Sequence, residues 1–210
     1  MIINFLGDSI TEGYLATKYE NSFVPLVGKL LSCKVNQYGI AGSRFARQQY
    51  PSIDPKYDLY FASRVDEIDP EADITFIFGG TNDYGHGDAP IGKMGDKTPN
   101  TFYGSVDYLI NELLKKYKKN QIVFILPLYR LGENNPYGEG YRSKPTLSLQ
   151  GYRDIIKEVT SVYGIECLDL KDEMGDPEKV DLYEDGLHPN NKGHQKLAEL
   201  IVNYVKNREK

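Results

Sequence analysis

The chain has 210 residues, 40% of them hydrophobic and 26% charged, which suits one core-forming domain expected to span residues 1–210. Its net charge is −5, and its densest basic run, "KKYKK" at 115–119, lies at the end of a predicted helix, so nucleic acid is excluded as a partner. No apolar run approaches bilayer length, so no membrane span is expected.

The first element is a strand over Ile2–Leu6, followed at once by Gly7-Asp8-Ser9. The apolar start is too short for a signal peptide and has no basic lead, so a cytoplasmic protein is expected. A helix is predicted over Phe23–Leu31 and a second strand over Lys34–Gln37, which runs into "YGIAGSR", residues 38–44. A short helix over Leu59–Ile68 leads to a third strand, Ile74–Phe78, and then to "GGTND", residues 79–83. Phe102–Tyr117 carries Val106, Leu109, Ile110, Leu113 and Leu114 at helical spacing. Ile122–Leu126 and Ile165–Leu168 are the last two strands, with a helix over Leu149–Tyr163 between them. "DGLHPNNKGH", residues 185–194, precedes a final helix over Asn191–Val205. Two long polar segments, 84–100 and 129–146, each follow the carboxyl end of a strand and are candidate substrate-binding loops. Cys33 and Cys167 are too few for a disulfide framework, lack metal-ligand spacing, and are expected to be buried free thiols.

Alternation of strands and helices predicts a parallel sheet covered on both faces. In such a sheet the carboxyl ends of all strands share one edge. The four blocks after Leu6, Gln37 and Phe78 and before the last helix would then meet in one crevice. Each block alone reads as an ordinary turn, but together they carry a complete acyl-transfer chemistry. A serine hydroxyl needs a base to take its proton, and His188 is the base that titrates in the right range for Ser9. Asp185, three residues earlier, can accept from the other imidazole nitrogen and fix its tautomer. Three donors are available for the oxyanion: the N–H of Ser9, the N–H of Gly42 and the amide of Asn82. Of the other two histidines, His86 can line a pocket and His194 is expected to be solvated near the start of the last helix.

"GDSIT", the glycine of "GIAG", the asparagine of "GGTND" and the histidine of "DGLHP" together resemble the SGNH hydrolases, also called the GDSL esterase and lipase family. Ile10 stands where the family motif has leucine, an apolar exchange. The resemblance runs from residue 6 to about residue 194 and implies a flavodoxin-like α/β/α sandwich around a five-stranded parallel sheet. It also implies Ser9 as nucleophile, His188 as base, Asp185 as third triad member, Ser9, Gly42 and Asn82 as oxyanion donors, and no metal or cofactor.

Substrate choice must lie in the long loops, which belong to no general family pattern. There are 17 tyrosines and no tryptophan, and Tyr14, Tyr38, Tyr84, Tyr129, Tyr137 and Tyr141 fall near site loops. Their flat faces and hydroxyl tips suit a sugar ring. Asp8, Tyr84, His86, Tyr129, Tyr137 and Tyr141 are the candidate substrate contacts. Polar loops favour a small acyl group, such as acetyl, on a small polar or oligosaccharide carrier over a long lipid chain. The alternatives are a lysophospholipase or acyl-thioesterase on the same triad, a non-catalytic ligand-binding domain, and a metal site built from Asp83, His86, Asp185 and His188.

Overall fold

The computed structural model describes residues 1–140 and 142–208. The five apolar runs form parallel strands: β1 Ile2–Gly7, β2 Lys34–Gly39, β3 Ile74–Phe78, β4 Ile122–Ile125 and β5 Glu166–Leu168. Their order is β2-β1-β3-β4-β5, the flavodoxin-like arrangement, with Gly7 in register with Gly39 and Phe78.

Alternation along the strands divides the core into two layers. Ile3 and Phe5 of β1, Phe76 and Phe78 of β3, and Val123 and Ile125 of β4 pack under helices α2 (Phe23–Leu31) and α7 (Asn191–Arg208). Leu6, Ile77, Ile122 and Phe124 face the opposite layer, built by α4 (Phe102–Leu114) and α5 (Leu149–Tyr163). Short helices α1 (Ser9–Glu12), α3 (Thr81–His86) and α6 (Lys171–Met174) follow β1, β3 and β5. Among the described residues no helix is long and apolar enough to cross a membrane.

Several boundaries differ from expectation. Leu59–Ile68 is a 3₁₀ helix over Phe61–Glu67, α4 stops at Leu114, and α3 takes residues 84–86 out of the first long loop. His194 is fully buried, not solvated: it lies on the inward face of α7 with Leu197, Ala198 and Ile201, its ring stacked on Phe23 with centroids 6.2 Å apart. The spacing 194, 197, 198, 201 carries that signal, and a polar residue type hid it. Cys33 and Cys167 are free but only half-buried, because each lies at a sheet margin rather than in a core layer.

Candidate active site

β1 delivers Ser9 to the sheet edge as the first residue of the single-turn helix α1. Asp8 caps that helix, its Oδ1 accepting from the Ile10 N–H at 3.0 Å. The Ser9 N–H, at the first helical position, has no intrahelical acceptor. Ser9 Oγ lies 2.9 Å from His188 Nε2, and His188 Nδ1 lies 2.7 Å from Asp185 Oδ2.

The loop holding His188 and Asp185 is fixed by its own backbone. Asp185 Oδ1 accepts from the N–H groups of Leu187 at 3.0 Å and His188 at 2.7 Å, a turn closed by an aspartate side chain. The Leu131 N–H donates to Gly186 O at 2.8 Å, tying this turn to the second long loop. Burial alone would raise the Asp185 pKa, but the His188 backbone and ring and the Leu187 N–H hold it below the usual carboxylate range. Asp185 is therefore charged wherever the imidazole needs a counterion. Tyr14 packs edge-on against His188, ring centroids 4.8 Å apart, and limits the ring's freedom on its open side.

The segment after β2 brings Gly42 to the same cleft. Gly42 has φ +77°, and a Cβ there would lie 2.9 Å from the Tyr57 ring, so glycine is required by both conformation and space. Asn82 Nδ2 donates to Ser43 O at 3.0 Å, which leaves its second N–H for a ligand. Its neighbour Asp83 accepts from Phe45 N at 3.0 Å and Ala46 N at 2.9 Å, clamping the post-β3 turn to the post-β2 loop. Beneath them the buried Arg64 donates to Tyr38 O, Gly7 O and Ser43 Oγ at 2.7, 3.0 and 3.0 Å, binding the end of β1 to both ends of the post-β2 block. The result is a cleft of about 310 Å³ lined by Ser9, Gly42, Asn82 and His188, with Tyr14, Tyr57, His86 and Glu139 on its walls.

The other expected contacts are distributed differently. His86 is at the cleft, its Nδ1 accepting from Arg44 Nη2 at 2.7 Å. Asp8 is 1% exposed and turned inward as a cap, so it does not line the cleft. Tyr84 is a core residue, 1% exposed, whose hydroxyl bonds the carbonyls of Gly132 and Asn135 and pins the second loop. Tyr129 donates to Asp172 at 3.0 Å in a separate surface hollow, and Tyr137 is exposed outside the cleft lining. Tyr38 is spent on the backbone N–H of Asp69, and Tyr141 lies outside the described residues. Tyr57 and Glu139 have cleft positions that sequence reasoning missed: nothing in the apolar pattern marks a side chain on an irregular connection. The four residues weighed as a metal site do not converge, since Asp83 is bonded to the Phe45 and Ala46 N–H groups and His86 faces the Arg44 cation.

Burial raises the Asp8 pKa to about 7, against the Ile10 N–H, and raises Asp83 to about 6, against the Ala46 and Phe45 N–H groups. Burial also lowers the pKa of His86 and His194 to about 4. Between about pH 4 and 7 the folded state holds protons on the two acids that the unfolded chain has released, so this contribution falls as pH rises. The two histidines act in the opposite sense between about pH 4 and 6.5. A difference profile isolates the acid. Asp8→Asn should gain thermal stability relative to wild type as pH rises from about 4 to 7.5. Thermal melts of both proteins across that range check it, and a flat difference would refute it.

The GDSL-like lipase/acylhydrolase family model matches residues 5–196. One solved structure is 30% identical, with a TM-score of 0.80 over 98% of this chain and 95% of the other. A protein from Lactobacillus plantarum is 27% identical, with a TM-score of 0.78 over 98% and 96% of the two chains. Est24, a carbohydrate acetylesterase from Sinorhizobium meliloti, shares the fold at 16% identity, with a TM-score of 0.71 over 98% of each chain. No curated protein matches the sequence.

Proposed function

From the premise that the chain belongs to the GDSL-like lipase/acylhydrolase family and is an ester hydrolase, we propose that it removes small acyl groups, acetyl foremost, from a polar carrier such as a glycan. The observation that carries this reading is the row from Ser9 Oγ through His188 to Asp185, at 2.9 and 2.7 Å, in a cleft that Gly42 and Asn82 also line.

His188 Nε2 takes the Ser9 hydroxyl proton as Oγ bonds to the ester carbonyl carbon. The charge on the carbonyl oxygen is met by the N–H groups of Ser9, Gly42 and Asn82. Collapse breaks the bond to the alcohol oxygen, which receives the proton from His188. Water then attacks the acyl-serine, its proton again going to Nε2, and the acid leaves as the proton returns to Oγ. Asp185 holds Nδ1–H throughout and stabilises the imidazolium.

The cleft walls support a small acyl group and a polar alcohol. Tyr14 and Tyr57 present rings, and His86 and Glu139 present polar atoms. The arginines behind the cleft are already engaged. Arg44 donates to Tyr57 O and His86, and Arg130 donates to Thr81 and Glu139. A phosphate-bearing carrier would meet the Glu139 carboxylate instead of an open cation, which disfavours lysophospholipid and coenzyme-linked thioesters.

A series of p-nitrophenyl esters with a Ser9→Ala control tests the reading. Acetate should be hydrolysed with the highest kcat/KM, and a strong preference for octanoate would overturn it. Asn82→Ala should lower kcat by about 10²–10³ with a smaller change in KM, because its amide acts on the transition state. Steady-state kinetics on p-nitrophenyl acetate would show this, and a pure KM effect would remove Asn82 from the oxyanion site.

A further inference from the structure

Two polar side chains on the cleft wall have their inner atoms fixed and their outer atoms without a partner among the described residues. Arg44, 5% exposed, also bonds Tyr57 O at 2.9 Å and holds His86 Nδ1 at 2.7 Å. A guanidinium can only donate, so Nδ1 must carry the lone pair and the ring proton must sit on Nε2. His86 is thus a neutral N–H donor. Its burial and the charges of Arg44, Arg130 and Arg142 keep it neutral, outweighing the opposing charge of Glu139.

Glu139 is the complementary group. Arg130, 8% exposed and anchored on Thr81 O and Oγ1, binds Glu139 Oε1 at 2.7 Å. None of the described residues bonds Oε2. The Glu139 N–H donates to Gly85 O at 2.8 Å, and a Cβ on Gly85 would lie 2.6 Å from Glu139 Oε1. Gly85, the residue before His86, therefore leaves room for the carboxylate. Both residues line the same cleft as Ser9.

We propose that His86 and Glu139 form a fixed donor–acceptor pair that reads free hydroxyl groups on the alcohol portion of the substrate, selecting esters of polyhydroxylated alcohols such as partly acetylated sugars. This deepens the esterase reading and rests on it. A hydroxyl can accept from His86 Nε2–H and donate to Glu139 Oε2, either as one group or as two neighbouring ones. A substrate with its hydroxyls capped offers Glu139 Oε2 no donor, so it forfeits a hydrogen bond to a charged acceptor that the free-hydroxyl ester makes. Neither side chain takes part in bond breaking, so both are specificity determinants.

The test compares two substrates within each enzyme: a methyl glycoside monoacetate with free neighbouring hydroxyls, and the same monoacetate with those hydroxyls O-methylated. Wild type should favour the free-hydroxyl ester by roughly tenfold or more in kcat/KM. Glu139→Gln keeps an oxygen for Arg130 and puts an N–H where the acceptor was. His86→Asn keeps an acceptor for Arg44 and withdraws the outer N–H. Each should lower that preference by about tenfold, whereas a general packing defect lowers both substrates together and leaves the ratio intact. A wild-type ratio near one, or variants that retain the wild-type ratio, would overturn the proposal. Ser9→Ala on p-nitrophenyl acetate separates the two failures. If Ser9→Ala is inactive but the ratios do not move, only the hydroxyl-reading pair falls. If Ser9→Ala stays active, the serine-esterase reading falls and takes the pair with it.

Discussion

Ser9→Ala is expected to lower esterase turnover by about 10⁶-fold, and His188→Ala by a similar factor. The loss follows from the arrangement of the first strand end. Among the described residues the only hydrogen bond of the Ser9 side chain is the one to His188 Nε2 at 2.9 Å, so its removal takes away the proposed nucleophile and breaks no other side-chain bond. The backbone N–H of residue 9, at the first helical position, remains. The variant should therefore keep its melting temperature and a residual rate above that of water, supplied by the oxyanion donors and by binding. Because hydroxyl and base act in one step, the double variant Ser9→Ala, His188→Ala should be no slower than either single variant. Hydrolysis of p-nitrophenyl acetate measures the rates. A fluorophosphonate supplies an independent readout: it should add one covalent mass to wild type and none to Ser9→Ala. Labelling that persists in the alanine variant would place the reactive group elsewhere.

The central strands β1, β3 and β4 were legible because they are buried on both faces, whereas the edge strands β2 and β5 are only partly buried. Ile74–Phe78 reads as a continuous apolar run, and no exposed face blurs its limits. The helix bounds of Phe23–Leu31 and Leu149–Tyr163 agree because their apolar stripes are complete and the chain turns left-handed at Ser32 and Gly164 just beyond them. The strand-end blocks were legible for a topological reason: residues 9, 42, 82 and 188 are distant in sequence, and a parallel sheet puts their strand ends on one edge. The tyrosines misled because residue type does not say which way a side chain turns. Tyr84 begins the polar segment yet faces the core from α3, and its hydroxyl shares one proton between two loop carbonyls. Tyr57, on a 3₁₀ turn far from any strand, is the ring that covers Gly42. Arg64 carried no signal either. A single arginine in a weak helical pattern gives no hint that it will bond Gly7 O, Tyr38 O and Ser43 Oγ at once. Such cross-links depend on tertiary closeness of segments, which periodicity does not encode.

Asp185→Asn is expected to reduce kcat by about 10⁴ while leaving the fold and substrate binding nearly intact. The substituted side chain retains an oxygen to accept from the Leu187 and His188 N–H groups, which Asp185 Oδ1 now holds at 3.0 and 2.7 Å. The turn that presents His188 therefore survives. The position facing His188 Nδ1, now Oδ2 at 2.7 Å, becomes an amide N–H, a donor where an acceptor stood. The imidazole answers by placing its proton on Nε2 and its lone pair on Nδ1. Nε2 then points an N–H at Ser9 Oγ and has no lone pair to take the hydroxyl proton. Reversing the tautomer would restore the base but would set two N–H groups against each other where the new amide meets Nδ1. Any imidazolium formed in the reaction would also lose its counterion. Asp185→Ala should differ: it abolishes the aspartate turn as well, so its loss of activity should come with a lower melting temperature. Steady-state kinetics with thermal melts on both variants separate the roles. An Asp185→Asn enzyme within about tenfold of wild-type kcat would show that Asp185 shapes the turn and leaves the imidazole tautomer to another group.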